Sequence, residues 1–123
     1  MAINNDIIFA LVDEVPKGQV ASYGMIASLL PGVGPRQVGS ALGKLGERSK
    51  TPWHRILQSS GAIADRVGAE RQRCRLKREG ITFRKNAAVD IAAHRWGGPS
   101  PIWIAANERD PLEIMEIVAG WGR

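Results

Sequence analysis

A mainly helical fold with a small β wing, built on a helix-turn-helix, is what this 123-residue sequence predicts. Three observations carry that expectation. Two segments with helical apolar spacing, Tyr23 to Leu30 and Arg36 to Leu45, flank the tight turn Pro31-Gly32-Val33-Gly34-Pro35, and helix, tight turn, helix is the helix-turn-helix arrangement. Further on, Ile56-Leu57-Gln58 and Ala62-Ile63-Ala64 flank Ser59-Ser60-Gly61. That is a hairpin signal with a short glycine-containing turn, which would form the wing. Positive charge is gathered on the same stretch. Between Pro35 and Lys85 thirteen Lys or Arg stand against four acids, while the remainder holds four against eight. A basic centre in an acidic frame is the footprint of a polyanion partner.

The totals bound the class. The length suits one domain with a sizeable core, and 44% hydrophobic residues with ordinary charge mark a globular chain. One cysteine, Cys74, allows no internal disulfide and fits a reducing compartment. The opening Met-Ala-Ile-Asn-Asn-Asp lacks the basic region of a signal peptide, and no apolar run is long enough for a membrane span. A soluble cytoplasmic protein is expected, without a membrane partner.

The elements follow in order. Asn4, Asn5 or Asp6 can cap a first helix whose apolar positions are Ile7, Ile8, Leu11, Val12 and Val15, ended by Pro16-Lys17-Gly18. Gln19-Val20-Ala21 is short and extended. Ser22 can cap the second helix, which turns Ile26, Leu29 and Leu30 inward. The glycines of the following turn do not have dinucleotide-fingerprint spacing. On the third helix Val38, Ala41, Leu42 and Leu45 share one side, and Arg36, Gly39, Ser40 and Gly43 share the other. Each interior glycine costs a helix about 1 kcal/mol relative to alanine. Internal packing would also accept small residues, but the apolar side already supplies that packing. The small side is therefore expected to let another surface come close. A polar loop, 46–51, leads to the next motif. Ala69 to Glu79 reads as a fourth helix crowded with Arg71, Arg73, Arg75, Lys77 and Arg78, stopped by Gly80, with Ile81 to Phe83 extended beyond it.

After Trp96 the composition changes. Gly97-Gly98-Pro99-Ser100-Pro101 is linker-like. Asp110-Pro111-Leu112-Glu113 then combines an N-cap, proline at the first helical position and an early acid. Leu112, Met115 and Val118 with Ile114, Ile117 and Trp121 give the apolar stripe of a short acidic helix. The expected division is residues 1–98 and an extension, 99–123, whose helix docks on the domain or serves as a protein contact.

The most specific stretch is Thr51-Pro52-Trp53-His54-Arg55-Ile56. It is preceded by Pro35-Arg36-Gln37-Val38-Gly39 and Ser40-Ala41-Leu42-Gly43, and followed by Ser59-Ser60-Gly61 and Arg66. In this order and spacing the set resembles the DNA-binding domain of O6-alkylguanine-DNA alkyltransferases, a winged helix-turn-helix. Trp53 stands where that family carries its acceptor cysteine in Pro-Cys-His-Arg, the replacement that marks the alkyltransferase-like proteins. The likeness runs from about Ile3 to Phe83, and more weakly to Trp96.

The resemblance implies a relay without a nucleophile. His54 matches the histidine that activates the family cysteine, and Glu79 matches the glutamate that orients it. An indole cannot displace an alkyl group, because activated nucleophiles are thiols, hydroxyls, amines and carboxylates. Cys74 has no local histidine, and the commoner reading of such a cysteine is a small buried hydrophobe, although its arginine neighbours could lower its pKa. His54, His94 and Cys74 show no ligand spacing, so neither metal nor cofactor is expected.

A binding site is what remains. By resemblance Tyr23 crowds the phosphate of the target nucleotide, and Arg36 enters the stack in place of the flipped base. Trp53 lines the lesion pocket with His54 and Glu79, and Arg66 stands at its rim. Gln37, Gly39, Ser40, Gly43 and Arg55 are expected on the DNA. Leu45 replaces an asparagine of the active enzymes and removes a polar brace, and no counterpart of the enzymes' extra N-terminal domain is expected. The expected function is a non-enzymatic sensor, a monomer, that binds O6-alkylguanine in double-stranded DNA, flips the base and marks it for nucleotide excision repair proteins. The rival readings are a helix-turn-helix transcription regulator and a residual alkyltransferase using Cys74. Against the regulator, the third helix beyond Arg36 and Gln37 lacks side chains that read base edges.

Overall fold

The computed structural model describes residues 5–45, 50–64 and 67–122. The first helix, α1 (Asn5–Val12), buries Ile8, Leu11 and Val12. Ile7, expected among them, is 45% exposed, because the stripe one turn deep needs only its i, i+3 and i+4 positions. Strand β1 (Ala21–Ser22) leads directly into α2 (Tyr23–Ser28). Ser22 caps it by accepting from the Met25 N–H at 3.1 Å, as its place in sequence predicts. Gly32, at φ +76°, turns the chain in the left-handed region that glycine enters freely.

Helix α3 (Pro35–Gly43) begins with proline at its first position, where no N–H is missed. Gln37 reaches back to accept from the Gly34 N–H at 2.6 Å. Val38, Ala41 and Leu42 are buried, and Leu45 packs against the same cluster. Helices α1, α2 and α3 pack on one another, so the helix-turn-helix rests on a third helix.

The wing differs from expectation. Strand β2 (Ile56–Leu57) pairs with β1 in parallel, Ala21 opposite Ile56 and Ser22 opposite Leu57. The turn after it does form, with Gly61 N–H donating to Gln58 O at 2.8 Å and Gln58 N–H to Ala62 O at 3.1 Å. The ladder stops there. Gly61 O accepts instead from the Val89 N–H at 2.8 Å, so 62–64 is drawn away from β2. The outcome is still a mainly helical fold with a small two-stranded sheet.

Helix α4 (Ala69–Arg78) packs on the segment around Trp53. Gly80, at φ +84°, ends it, and Ile81 N–H returns to Leu76 O at 3.1 Å, a Schellman-type stop. Val20, Leu57, Leu76, Ile81 and Val89 form a second small cluster beside the main core.

The stretch read as linker is irregular from Gly97 to Ser100, with short helices on either side of it. A single turn, α5 (Ile91–His94), precedes Trp96, whose N–H donates to Val20 O at 2.8 Å. Helix α6 (Pro101–Ala106) is capped by Ser100, and α7 (Pro111–Gly120) by Asp110. Trp103 and Ile114 join the cluster that holds Ile8, Leu11 and Ile26. Trp121 stacks on Trp96 at 5.6 Å and donates its indole N–H to Ser28 Oγ at 3.0 Å. The extension is therefore docked through the α7 side that carries Ile114. Leu112 and Met115, expected in the same stripe, are 68% and 64% exposed. A ten-residue helix laid on one surface buries a single narrow side. Among the described residues no helix is long and apolar enough to cross a membrane.

Candidate nucleic-acid interface

The outer side of α3 is open. Arg36, Gln37, Ser40 and Gly43 are exposed, and Gly39 is half-buried. A Cβ placed on Gly43 would meet nothing within 4 Å, and one on Gly39 would meet only Tyr23 Cε1 at an ordinary 3.9 Å. Neither glycine is required by packing among the described residues. Helix stability is given up here without an internal reason, as it would be for an incoming surface. Tyr23, half-buried at the start of α2, packs against the main core and beside Gly39.

The segment 51–57 is set by its proline. Pro52 sits at φ −79°, ψ 64°, and Trp53 N–H donates to Thr51 O at 2.8 Å. That is an inverse γ-turn, whose central angle proline already holds. One 3-10 turn, Trp53–Arg55, follows and delivers Ile56 into β2. The turn places successive side chains on different sides. Trp53 stays half-buried, while His54 is only 7% exposed.

His54 and Glu79 are brought together as expected, Nε2 to Oε2 at 2.8 Å. Burial is the main reason the imidazole titrates below its usual 6.5; the Glu79 carboxylate opposes that shift without cancelling it. The ring is thus neutral at pH 7. Facing a carboxylate, its Nε2 bears the hydrogen, and Nδ1 keeps a lone pair. Nδ1 is buried and has no hydrogen-bond partner among the described residues. Burial alone would raise the Glu79 carboxyl, but hydrogen bonds from Arg55 and His54, with their charges, hold it at about 2. Chemically, the pair is a neutral imidazole held by a carboxylate, with the Trp53 ring edge to face beside it.

Arg55 departs from expectation. Its Nε and Nη2 donate to Glu79 at 3.0 and 2.7 Å, and Nη1 donates to Val15 O at 2.9 Å. The guanidinium that was expected on DNA is committed inside the protein, where a carboxylate matches its planar fork. It braces the Glu79 that holds His54. Cys74 departs as well: it is exposed on α4, not buried. Arg66 lies outside the described residues, as do 46–49 of the polar loop.

Two residues beyond the expected set hold this segment. Gln72, buried on α4, donates its amide to His54 O at 3.2 Å and to Ile56 O at 3.0 Å. Arg75, one turn further, lies 5.6 Å from the centroid of the Trp53 ring, within cation–π range. Their position three apart on the side of α4 that holds Leu76 was the available signal, masked by the run of charges. A cavity of ≈ 360 Å³ opens beside them, walled by Lys50, His54, Arg55, Arg75 and Asp13. Of the described members of the expected lesion set only His54 lines it, and Tyr23, Trp53 and Glu79 do not. Trp53 meets His54 edge to face, with centroids 6.2 Å apart and planes at 88°.

Residues 5–81 match the sequence model of the 6-O-methylguanine DNA methyltransferase DNA binding domain. A "DNA base-flipping protein" of Vibrio parahaemolyticus is 39% identical over 92 residues, covering 72% of this chain and 91% of that one. Alkyltransferase-like protein 1 of Schizosaccharomyces pombe is 39% identical over 101 residues, covering 78% and 90%. The crystal structure of S. pombe Atl1 with damaged DNA containing O6-carboxymethylguanine superposes with a TM-score of 0.69, at 31% identity over 78% of this chain and 98% of that one.

Proposed function

This chain belongs to the family of 6-O-methylguanine DNA methyltransferase DNA-binding domains, and from that premise we propose that it recognises O6-alkylguanine in duplex DNA by flipping the base, without repairing it. The observation that carries the reading is the Pro52-Trp53-His54-Arg55 segment. The His54–Glu79 relay is intact at 2.8 Å, and the residue it would activate is an indole. Binding is the chemistry left to such a site.

Each expected residue then has a task. The open side of α3, with Gly39, Ser40 and Gly43, lies against the duplex, and Gln37 sits at its entry. Arg36 fills the stack when the base leaves. Tyr23 crowds the target phosphate. Trp53 receives the base, where base–aromatic stacking contributes about 1–3 kcal/mol, and Arg66 closes the rim. Turning a base out costs a few kcal/mol and costs less for a damaged pair, so the balance favours the lesion. The protein acts in the cytoplasm as a monomer and presents the bound lesion to nucleotide excision repair proteins. The support is the likeness to a base-flipping protein and to a relative crystallised on damaged DNA, with the charge concentration in 35–85.

The test is binding to matched duplexes with and without one O6-methylguanine, at stated salt. Preferential binding of the modified duplex is expected. Equal affinity would remove the lesion reading and favour a transcription regulator.

A further inference from the structure

A polar cleft of ≈ 410 Å³ lies at the start of α2, and none of the residues given a DNA or lesion task above lines it. Its walls include Ser22, Ser59, Ser60, Arg84, Asp90 and Arg95. These come from three separate stretches that the backbone locks together. The Ser59-Ser60 turn is pinned through Gly61, which sits at φ +86° with its O accepting from Val89 N–H at 2.8 Å. A Cβ on Gly61 would stand 2.2 Å from Val89 O, so only glycine allows that approach. Arg84 N–H donates to Ala88 O at 2.7 Å, closing the loop that carries it. Arg95 is held against Val20 by the bonds from Val20 N–H to His94 O and from Trp96 N–H to Val20 O, both 2.8 Å.

The charge in this cleft is not balanced. Neither the Arg84 nor the Arg95 guanidinium has a hydrogen-bond or ion-pair partner among the described residues, although Arg95 is half-buried. Among the described residues Asp90 is the single acid in the lining, and it pairs with neither. A half-buried arginine is normally matched by a carboxylate or a phosphate, because its fork of donors is costly to leave unmet. Two serines, Ser59 and Ser60, line the same cleft. Ser22 in the wall directly precedes Tyr23, so the cleft adjoins the place where the target strand is expected to pass.

We propose that this cleft takes a backbone phosphate of the DNA, held by Arg84 and Arg95 with Ser59 and Ser60 as hydroxyl donors. The proposal rests on the reading that the protein binds duplex DNA. It adds an anchor that positions the strand without reading bases. It also gives the turn at 58–62 a task that its missing hairpin ladder leaves open.

The experiment uses the full chain with Arg84→Gln, Arg95→Gln and the pair together. Affinity is measured against salt on duplexes with and without O6-methylguanine. Both affinities should fall by the same factor, and the salt slope should shrink by about 0.9 for each phosphate that is no longer neutralised. Arg84→Lys with Arg95→Lys should keep most of the slope, and thermal melting should show the variants folded. Next, one methylphosphonate is walked along each strand. One position should weaken binding by the unchanged protein and not by the Arg84→Gln, Arg95→Gln protein. An unchanged slope, or no such position, overturns the proposal. Competition by inorganic phosphate beyond chloride at equal ionic strength, abolished in the double variant and without methylphosphonate coupling, would assign the cleft to a free phosphate. Duplex binding without lesion preference overturns the lesion reading alone, whereas no duplex binding overturns both.

Discussion

Replacing Glu79 by Gln tests whether the interior of the site is held by charge. The carboxylate accepts from His54 at 2.8 Å and from Arg55 at 3.0 and 2.7 Å, and the two partner side chains are 9% and 16% exposed. Glutamine keeps the shape and one acceptor, but it removes the charge and turns an amide toward donors. Arg55 is then left without an anion. The Glu79 carboxyl lies at about 2 against an ordinary 4.5, and at about 1.4 kcal/mol per unit that sets a ceiling near 3.4 kcal/mol. Solvent reaching this partly exposed group lowers the figure, so about 2 kcal/mol is expected, roughly 6–10 °C in Tm for a domain of this size. The sign with pH follows. A depressed carboxyl stabilises fully above its unfolded value, and that stability is lost as pH falls from about 4.5 toward 2. His54 is depressed too, so its contribution fades earlier, below about 6.5. Urea unfolding at pH 7 and again near pH 2.5 measures both. The gap between the proteins should be about 2 kcal/mol at the first and about a quarter of that at the second. A gap under about 0.5 kcal/mol at pH 7, the range of ordinary surface substitutions, or one that persists in full in acid, would refute the reasoning.

Four further outcomes are expected. Incubation with excess O6-methylguanine duplex followed by intact-mass measurement should show no added methyl; a stoichiometric adduct on Cys74 would mean transfer chemistry after all. Arg36→Ala should weaken lesion binding more than binding to undamaged DNA, since it acts only when a base leaves the stack, and an equal fall on both would make it a phosphate contact. Trp53→Ala should cost about 1–3 kcal/mol of lesion affinity while leaving the salt slope nearly unchanged, and full retention of lesion affinity would take Trp53 out of the pocket. Gly43→Ala should stabilise the fold by about 0.5–1 kcal/mol, because helix propensity rises and the new methyl meets nothing. It should nonetheless weaken duplex binding, and undiminished binding would mean that α3 is not closely approached there.

Much of the helical framework was legible because its signals are local. Ser22 as a cap, Pro35 at the first position of α3 and Gly80 past the end of α4 each act within a few residues. The apolar spacing of α1 to α3 names most of the buried side chains. The true partner of β2 was not legible, and the hairpin read there did not form. Its turn formed as read, but β2 had two possible neighbours, and β1 lies far off in sequence. Which edge wins depends on where Val89 captures Gly61, and no pattern within 56–64 reports that. Short helices in 91–106 were hidden for a related reason. Gly97-Gly98-Pro99 reads as linker, and only docking of Trp103 on the core makes the next turn worth forming.

The candidate site divides along the same line. That His54 meets Glu79 beside an indole was implied by the likeness to the alkyltransferases and not by spacing, since the chain holds twelve acids; that the imidazole is neutral is decided by its burial. Which cation braces Glu79 was not readable. Thirteen basic residues in 35–85, and Arg95 beyond them, are alike in composition, and only the three-dimensional path decides that Arg55 turns inward to Val15 and Glu79, Arg75 covers Trp53, and the Arg84 and Arg95 guanidiniums have no partner among the described residues. Residue type and short-range spacing determine which chemistry is possible and which helices form. Charge pairing and burial depend on distances between segments remote in sequence, which only the packed chain sets.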